Sequence, residues 1–120
     1  MEAGLLKTGR FTRDERVKRS KDIKKLFREG KRYTVEGCKV FVLQNNLDKN
    51  RVVFTLPRGY GRAVDRNRSK RLNRESYRKL KSNMNIGYDI LLLTYLKNDT
   101  FMTRYAQISC LFKKAGLIKT

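Results

Sequence analysis

The chain has no histidine and no tryptophan, one proline, two cysteines, and eleven acidic residues against thirty Lys and Arg. Each shortage excludes something. Without histidine, the commonest general base and metal ligand are gone. The acidic residues are scattered, and no pair is placed to hold two metal ions as nucleases often do. Cys38 and Cys110 lack metal-ligand spacing, and both are expected to be reduced, partly buried core residues of a cytoplasmic protein. No apolar run approaches the ~18–20 residues of a membrane span. The opening MEAGLLKTGR is too short and polar for the apolar stretch of a signal peptide. No glycine-rich phosphate loop precedes a helix, since Gly59-Tyr60-Gly61 is only a short turn. No catalytic residue and no metal ligand is therefore assigned to this chain.

What is present is positive charge. The 120 residues suit one domain with one modest core, and the formal net charge is +19. Residues 7–32 carry twelve basic and four acidic side chains, and residues 62–81 carry nine and two. The apolar runs lie elsewhere, with no repeat, low-complexity tract or composition break to mark a second domain. A charge of this size and sign is the footprint of a nucleic-acid binder. An anionic membrane is the other common partner of such a chain, but none is expected without an apolar span.

Local patterns give the order of elements. Ser20 suits a helix N-cap, Asp22 the first turn and Gly30 the position just past the end. Ile23, Leu26 and Phe27 share a face by their i, i+3, i+4 spacing. Arg32–Val35 reads as a short strand and Glu36-Gly37 as a turn. KVFVL at 39–43 and RVVFTL at 51–56 read as strands, and the polar loop NNLDKN at 45–50 suggests a hairpin between them. Pro57 ends the second. GRAVDRNRSKRLNRESYRKLK at 61–81 is the best helix candidate. DILLLTYL at 89–96 is a continuous apolar run of strand length, expected to lie buried in the sheet. A closing helix from about Phe101 to Ala115 sets Tyr105, Ile108, Leu111, Phe112 and Ala115 at helical spacing, and Gly116 stops it. The expected fold is an α-β-β-β-α-β-α sandwich of the α+β class, helices packed on a mixed sheet.

At about 100° per residue, Arg66, Asn67, Lys70, Arg71, Arg74 and Arg78 fall within roughly 140° of one face of the 61–81 helix. Val64, Leu72 and Leu80 fall on the other side, with Arg68. One flank is thus expected to pack while the other presents guanidinium groups, which bind phosphate bidentately and stay charged when desolvated. Asn67 adds an amide suited to a base edge or sugar hydroxyl. A helix that is merely solvated mixes both signs of charge, and this one carries only Asp65 and Glu75 against nine bases over 62–81.

The segment AV-D-RNR-S-KR-LN-RE at 63–75 resembles the signature of the protein subunit of bacterial ribonuclease P. FTRDERVKRSKDIKKLFREGK at 11–31 is similar to that family's basic N-terminal block and first helix, DILLLTYL to its last strand, and RYAQISCLFKKAGLIK to its closing helix. The resemblance runs from about Phe11 to Lys119, with residues 1–10 as an N-terminal extension and 11–120 as the domain. It implies a left-handed βαβ crossover, against the usual preference. It further implies a ribonucleoprotein that removes the 5′ leader of precursor tRNA, with Mg²⁺-dependent catalysis on the RNA subunit. The protein would bind that RNA and the single-stranded leader, with no DNA and no membrane as partner.

Carried over residue by residue, the resemblance assigns Arg62, Arg66, Asn67, Arg68, Lys70, Arg71 and Arg74 to the RNA subunit. It assigns the leader to a cleft between the first helix and the sheet, touched by Lys18, Ile23, Phe27, Phe41 and Arg58. Aromatic faces there would stack bases without regard to sequence, and a basic rim would follow the phosphates. Two positions depart from the family. Ile23 stands where an aromatic is usual, and Leu56-Pro57-Arg58-Gly59 stands where two adjacent bases are often found. Core packing is the competing role for Phe27 and Phe41, and Phe54, Tyr105 and Phe112 are expected in the core. Apart from the resemblance, charge and size also fit a structural RNA-binding protein of ribosomal type, while a stand-alone nuclease is disfavoured by the missing histidine and unclustered carboxylates.

Overall fold

A computed structural model describes residues 15–95 and 100–119. The expected N-terminal extension, residues 1–10, and Leu96, the last residue of the expected final strand, lie outside the described residues. The elements follow the anticipated order: α1 Ser20–Glu29, β1 Lys31–Val35, β2 Cys38–Gln44, β3 Arg51–Thr55, α2 Ala63–Leu80, a 3₁₀ turn Lys81–Asn83, β4 Tyr88–Thr94 and α3 Phe101–Lys114. The four strands form one mixed sheet in the order β1-β2-β4-β3. β1 and β2 are antiparallel, β2 and β4 antiparallel, and β3 and β4 parallel.

This order corrects the expected hairpin between residues 39–43 and 51–56, because β4 lies between the two strands. The physical cause is the apolar run itself. Ile90, Leu91 and Leu92 are all 0% exposed, so neither face of β4 tolerates solvent and neither edge is left open. The 45–50 loop spans the gap instead of turning tightly. Asn45 Nδ2 donates to Asp89 Oδ1 at 3.0 Å, Asn50 Nδ2 donates to the Asn85 carbonyl at 2.7 Å, and Tyr88 N–H donates to Asn50 Oδ1 at 2.9 Å. The loop's asparagines thus bind the segment that enters between its two strands. The true hairpin joins β1 to β2, where Gly37 takes φ 91° in the turn.

α2 and α3 cover one sheet face, where Val40, Val42, Val52, Ile90 and Leu92 meet Tyr77, Leu80, Ile108, Leu111 and Phe112. Phe54 packs edge-on to Tyr77, ring centroids 6.1 Å apart, and Phe54 and Tyr105 are half-buried against this core as expected. α1 covers part of the opposite face, where Leu26 and Val17 close over Phe41 and Leu91. α3 ends at Gly116, φ 74°. There Leu117 N–H donates back to the Phe112 carbonyl at 2.9 Å and Gly116 N–H to Lys113 at 3.1 Å, a Schellman closure.

The ends of α1 differ from expectation. Arg19, not Ser20, occupies the N-cap, and Ser20 is the first helical residue. Gly30 is extended at φ −67°, ψ 144° rather than left-handed. Its lack of a side chain serves close approach: a Cβ there would collide with the Leu26 carbonyl oxygen and stand 3.1 Å from Phe41 Cβ. Gly30→Ala is therefore expected to destabilise the fold by ~1–3 kcal/mol through overpacking, read as a lower urea midpoint at unchanged m-value.

Candidate nucleic-acid interface

α2 opens where Arg62 N–H donates to the Asp65 carboxylate at 3.1 Å. Arg62 at its N-cap is exposed, as are Asn67, Arg68, Arg71, Arg78 and Lys79, while Arg66, Lys70 and Arg74 are half-buried. Arg66 Nη1 also donates to the Pro57 carbonyl at 3.1 Å, tying the helix to the turn that carries Arg58. In that turn Tyr60 N–H donates to the Pro57 carbonyl at 3.2 Å and Gly59 takes φ 82°, leaving Arg58 exposed.

Two residues expected on the packing side of this helix are not there. Val64 is 69% exposed and Arg68 is exposed as well. The buried face consists of Ser69, Leu72, Asn73, Ser76, Tyr77 and Leu80. Small polar side chains occupy half of it, so apolar periodicity placed its centre wrongly. The i, i+4, i+7 spacing of Ser69, Asn73 and Ser76 was the available signal. Ser69 and Asn73 meet Arg104 of α3, which is 0% exposed and was missed in the sequence, where a lone arginine gives no sign of burial.

The second surface lies across the sheet. Phe27 and Phe41 meet edge-on, ring centroids 5.1 Å apart at 63°. Phe27 is 46% exposed and Phe41 8%, so Phe27 offers ring area to solvent and Phe41 backs it. Ile23 is half-buried against the same cluster. This sheet face carries two registered rows, Arg32-Phe41-Leu91-Val53, whose Phe41 and Leu91 lie under α1, and Thr34-Lys39-Leu93-Thr55. In the second row Thr34 is exposed and Lys39, Leu93 and Thr55 are half-buried, and Lys39 Nζ lies 5.8 Å from the centroid of the Tyr95 ring.

The structure does not bring all the expected leader residues together. Lys18 lines a hollow with Arg16, Arg19, Lys49 and Arg51 near the start of β3, and Arg58 follows the end of that strand. A smaller cleft of about 180 Å³ connects the two surfaces, lined by Arg16, Val17, Val53, Phe54, Lys70 and Arg74. One wall is the N-terminal segment, pinned where Val17 N–H donates to the Val52 carbonyl at 3.1 Å and Lys81 Nζ donates to Glu15 Oε1 at 2.7 Å. Lys70 and Arg74 therefore stand between helix face and sheet.

Asp89 at the start of β4 is matched: it accepts both Arg51 Nε at 2.8 Å and Arg51 Nη2 at 2.7 Å. Burial pushes the Cys38 thiol up to about 11, which leaves it neutral and unreactive. Cys110 is exposed rather than partly buried as expected. Among the described residues, no three His, Cys, Asp or Glu side chains cluster to hold a metal ion, and no helix is long and apolar enough to cross a membrane.

A family model described as Ribonuclease P matches residues 11–116. The ribonuclease P protein component of Natranaerobius thermophilus is 41% identical over 83 residues, covering 69% of this chain and 72% of that one. Its counterpart in Clostridium botulinum (strain Langeland) is 31% identical over 110 residues, covering 88% of this chain and 97% of the relative. The solved RNase P protein of Thermotoga maritima is similar at a TM-score of 0.76 and 29% identity, over 83% of this chain and 96% of that one. The RNase P protein of Staphylococcus aureus shares the fold at a TM-score of 0.80 and 23% identity, over 88% of this chain and 98% of that one.

The unequal burial of the aromatic pair has a measurable consequence. Phe41→Ala is expected to cost ~3–5 kcal/mol, as for a core phenylalanine. Phe27→Ala is expected to cost about 0.5–1.5 kcal/mol, mainly the edge-on ring contact. Urea denaturation of both variants checks this.

Proposed function

The chain belongs to the ribonuclease P protein family, and from that membership we propose that it binds the catalytic RNA subunit of ribonuclease P and the 5′ leader of precursor tRNA. The observation that carries this reading is the face of α2, where Asn67, Arg68 and Arg71 are exposed beside half-buried Arg66, Lys70 and Arg74. Guanidinium groups held on a rigid helix suit the phosphates of a folded RNA, because less side-chain order must be gained on binding. The leader is assigned to the other surface, with Phe27 as the stacking ring, Phe41 and Ile23 supporting it, and Lys18 and Arg58 reaching phosphates at either end. Phe27 is suited to this by its exposure: a ring half in solvent can cover a base, and its stacking is indifferent to sequence. Lys70 and Arg74, in the connecting cleft, are suited to phosphates where the two RNAs converge.

Mg²⁺ is assigned to the RNA subunit, where it would stabilise the attacking and leaving oxygens of the hydrolysed phosphodiester. This chain's part is electrostatic. By neutralising phosphates it would lower the repulsion between the RNA subunit and its substrate, and with it the Mg²⁺ concentration that cleavage requires. The test is reconstitution with a bacterial ribonuclease P RNA at low Mg²⁺. Leader removal is expected from the mixture and not from RNA-free protein; cleavage by the protein alone overturns the reading.

Binding to the RNA subunit is expected to weaken steeply with salt, by roughly 0.7–0.9 in log–log slope for each phosphate contact. The double variant Arg66→Ala, Arg71→Ala should bind more weakly and with a shallower slope, and titrations at several salt concentrations read both.

In the leader cleft, Phe27→Ala should weaken a long-leader precursor by about 1–3 kcal/mol. A one-nucleotide leader and the RNA subunit should be almost unaffected. Equal losses on long and short leaders would remove Phe27 from leader binding.

A further inference from the structure

The RNA-facing half of α2 has no apolar anchor. Between Ala63 and Arg71 the only buried residue is Ser69; the apolar contacts begin at Leu72 and continue through Tyr77 to Leu80. That N-terminal half carries Arg66, Arg68, Lys70 and Arg71, whose like charges repel one another. Something other than hydrophobic burial must hold it in place.

We propose that Arg104 of α3 is a positioning residue that fixes the N-terminal half of α2, and the turn before it, for RNA binding. The side chain is fully buried and its guanidinium reaches neutral acceptors on three residues at once. Nη1 donates to Ser69 Oγ at 2.8 Å, to the Ser69 carbonyl at 3.2 Å and to Asn73 Oδ1 at 2.8 Å. Nη2 donates to the Tyr60 hydroxyl at 3.4 Å, in the turn that carries Arg58. Asn73 passes the connection on, its Nδ2 donating to Thr94 Oγ1 at the end of β4, 3.2 Å away. One side chain thus joins the turn, the helix and the sheet. The planar, forked guanidinium suits this task because its donors are fixed in direction. Serine and asparagine at the contact have a matching reason: they offer acceptors where an apolar residue would leave the cation's donors unmet. Arg104 is itself 0% exposed and so cannot touch RNA. It acts by holding the residues that do, so the functional consequence rests on the assignment of α2 to the RNA subunit.

The test compares Arg104→Met, which keeps length and removes the donors, with the Arg66→Ala, Arg71→Ala pair. In free Arg104→Met, backbone amides of residues 66–71 should exchange with solvent about tenfold faster, while those of Tyr77 and Leu80 keep their protection. Affinity for the RNA subunit should fall about tenfold with a shallower salt slope, since misplaced arginines make fewer simultaneous phosphate contacts. Unchanged exchange at 66–71, or faster exchange with wild-type affinity while the arginine pair weakens binding, overturns the proposal. Faster exchange with no effect of either variant on affinity supports the positioning and overturns the RNA assignment instead. If Arg104→Met does not fold, Ser69→Ala and Tyr60→Phe each remove one acceptor. Faster exchange in the same stretch supports the proposal, and wild-type exchange in both overturns it.

Discussion

Burial of β4 on both faces is the constraint from which the remaining architecture follows. With Ile90, Leu91 and Leu92 fully buried, this strand needs a partner on each edge and a cover on each face. β2 and β3 supply the edges. α2 and α3 cover one face, and α1 covers part of the other. The partial cover leaves Phe27 46% exposed at the edge of that face. The insertion of β4 also makes the chain cross over through α2, which sets the basic helix against the sheet.

The second constraint is electrostatic. A net charge of +19 on 120 residues works against compaction. Where bases are used structurally they are matched locally: Arg51 with Asp89, Lys81 with Glu15, Arg66 with the Pro57 carbonyl, and Arg104 with neutral oxygens of α2 and Tyr60. Among the described residues, Asn67, Arg68, Arg71, Arg78 and Lys79 lie exposed on α2, and Lys18 lies exposed near the start of β3. A polyanion would offset that repulsion and release its own counterions. Charge of this kind therefore sets association and salt dependence, while the fold rests on the two apolar clusters either side of the sheet.

The two surfaces are joined rather than separate. The 57–61 turn bears Arg58, accepts from Arg66 and reaches Arg104 through Tyr60. The cleft lined by Arg16, Lys70 and Arg74 runs between the N-terminal segment and α2. A displacement of the helix would therefore move both sets of cations.

Helix and strand positions were legible because they depend on local spacing and on single punctuating residues, as at Gly37, Pro57 and Gly116. The basic face of α2 was legible for the same reason, since charge at 3.6-residue spacing needs no knowledge of what lies beneath. The motif at 63–75 likewise carried the family from the residues alone. Strand order was not legible: two polar asparagines bridging to a strand forty residues away look the same in sequence as a hairpin loop. The inner face of α2 was hidden too, because Ser69 and Asn73 read as solvent-facing until Arg104 is brought beside them. Which phenylalanine of the pair offers its ring was likewise decided in three dimensions, by how far α1 reaches across the sheet. Sequence by itself determined what depends on neighbours in the chain. Tertiary structure decided what depends on neighbours in space, where a buried cation can make polar residues into a packing surface.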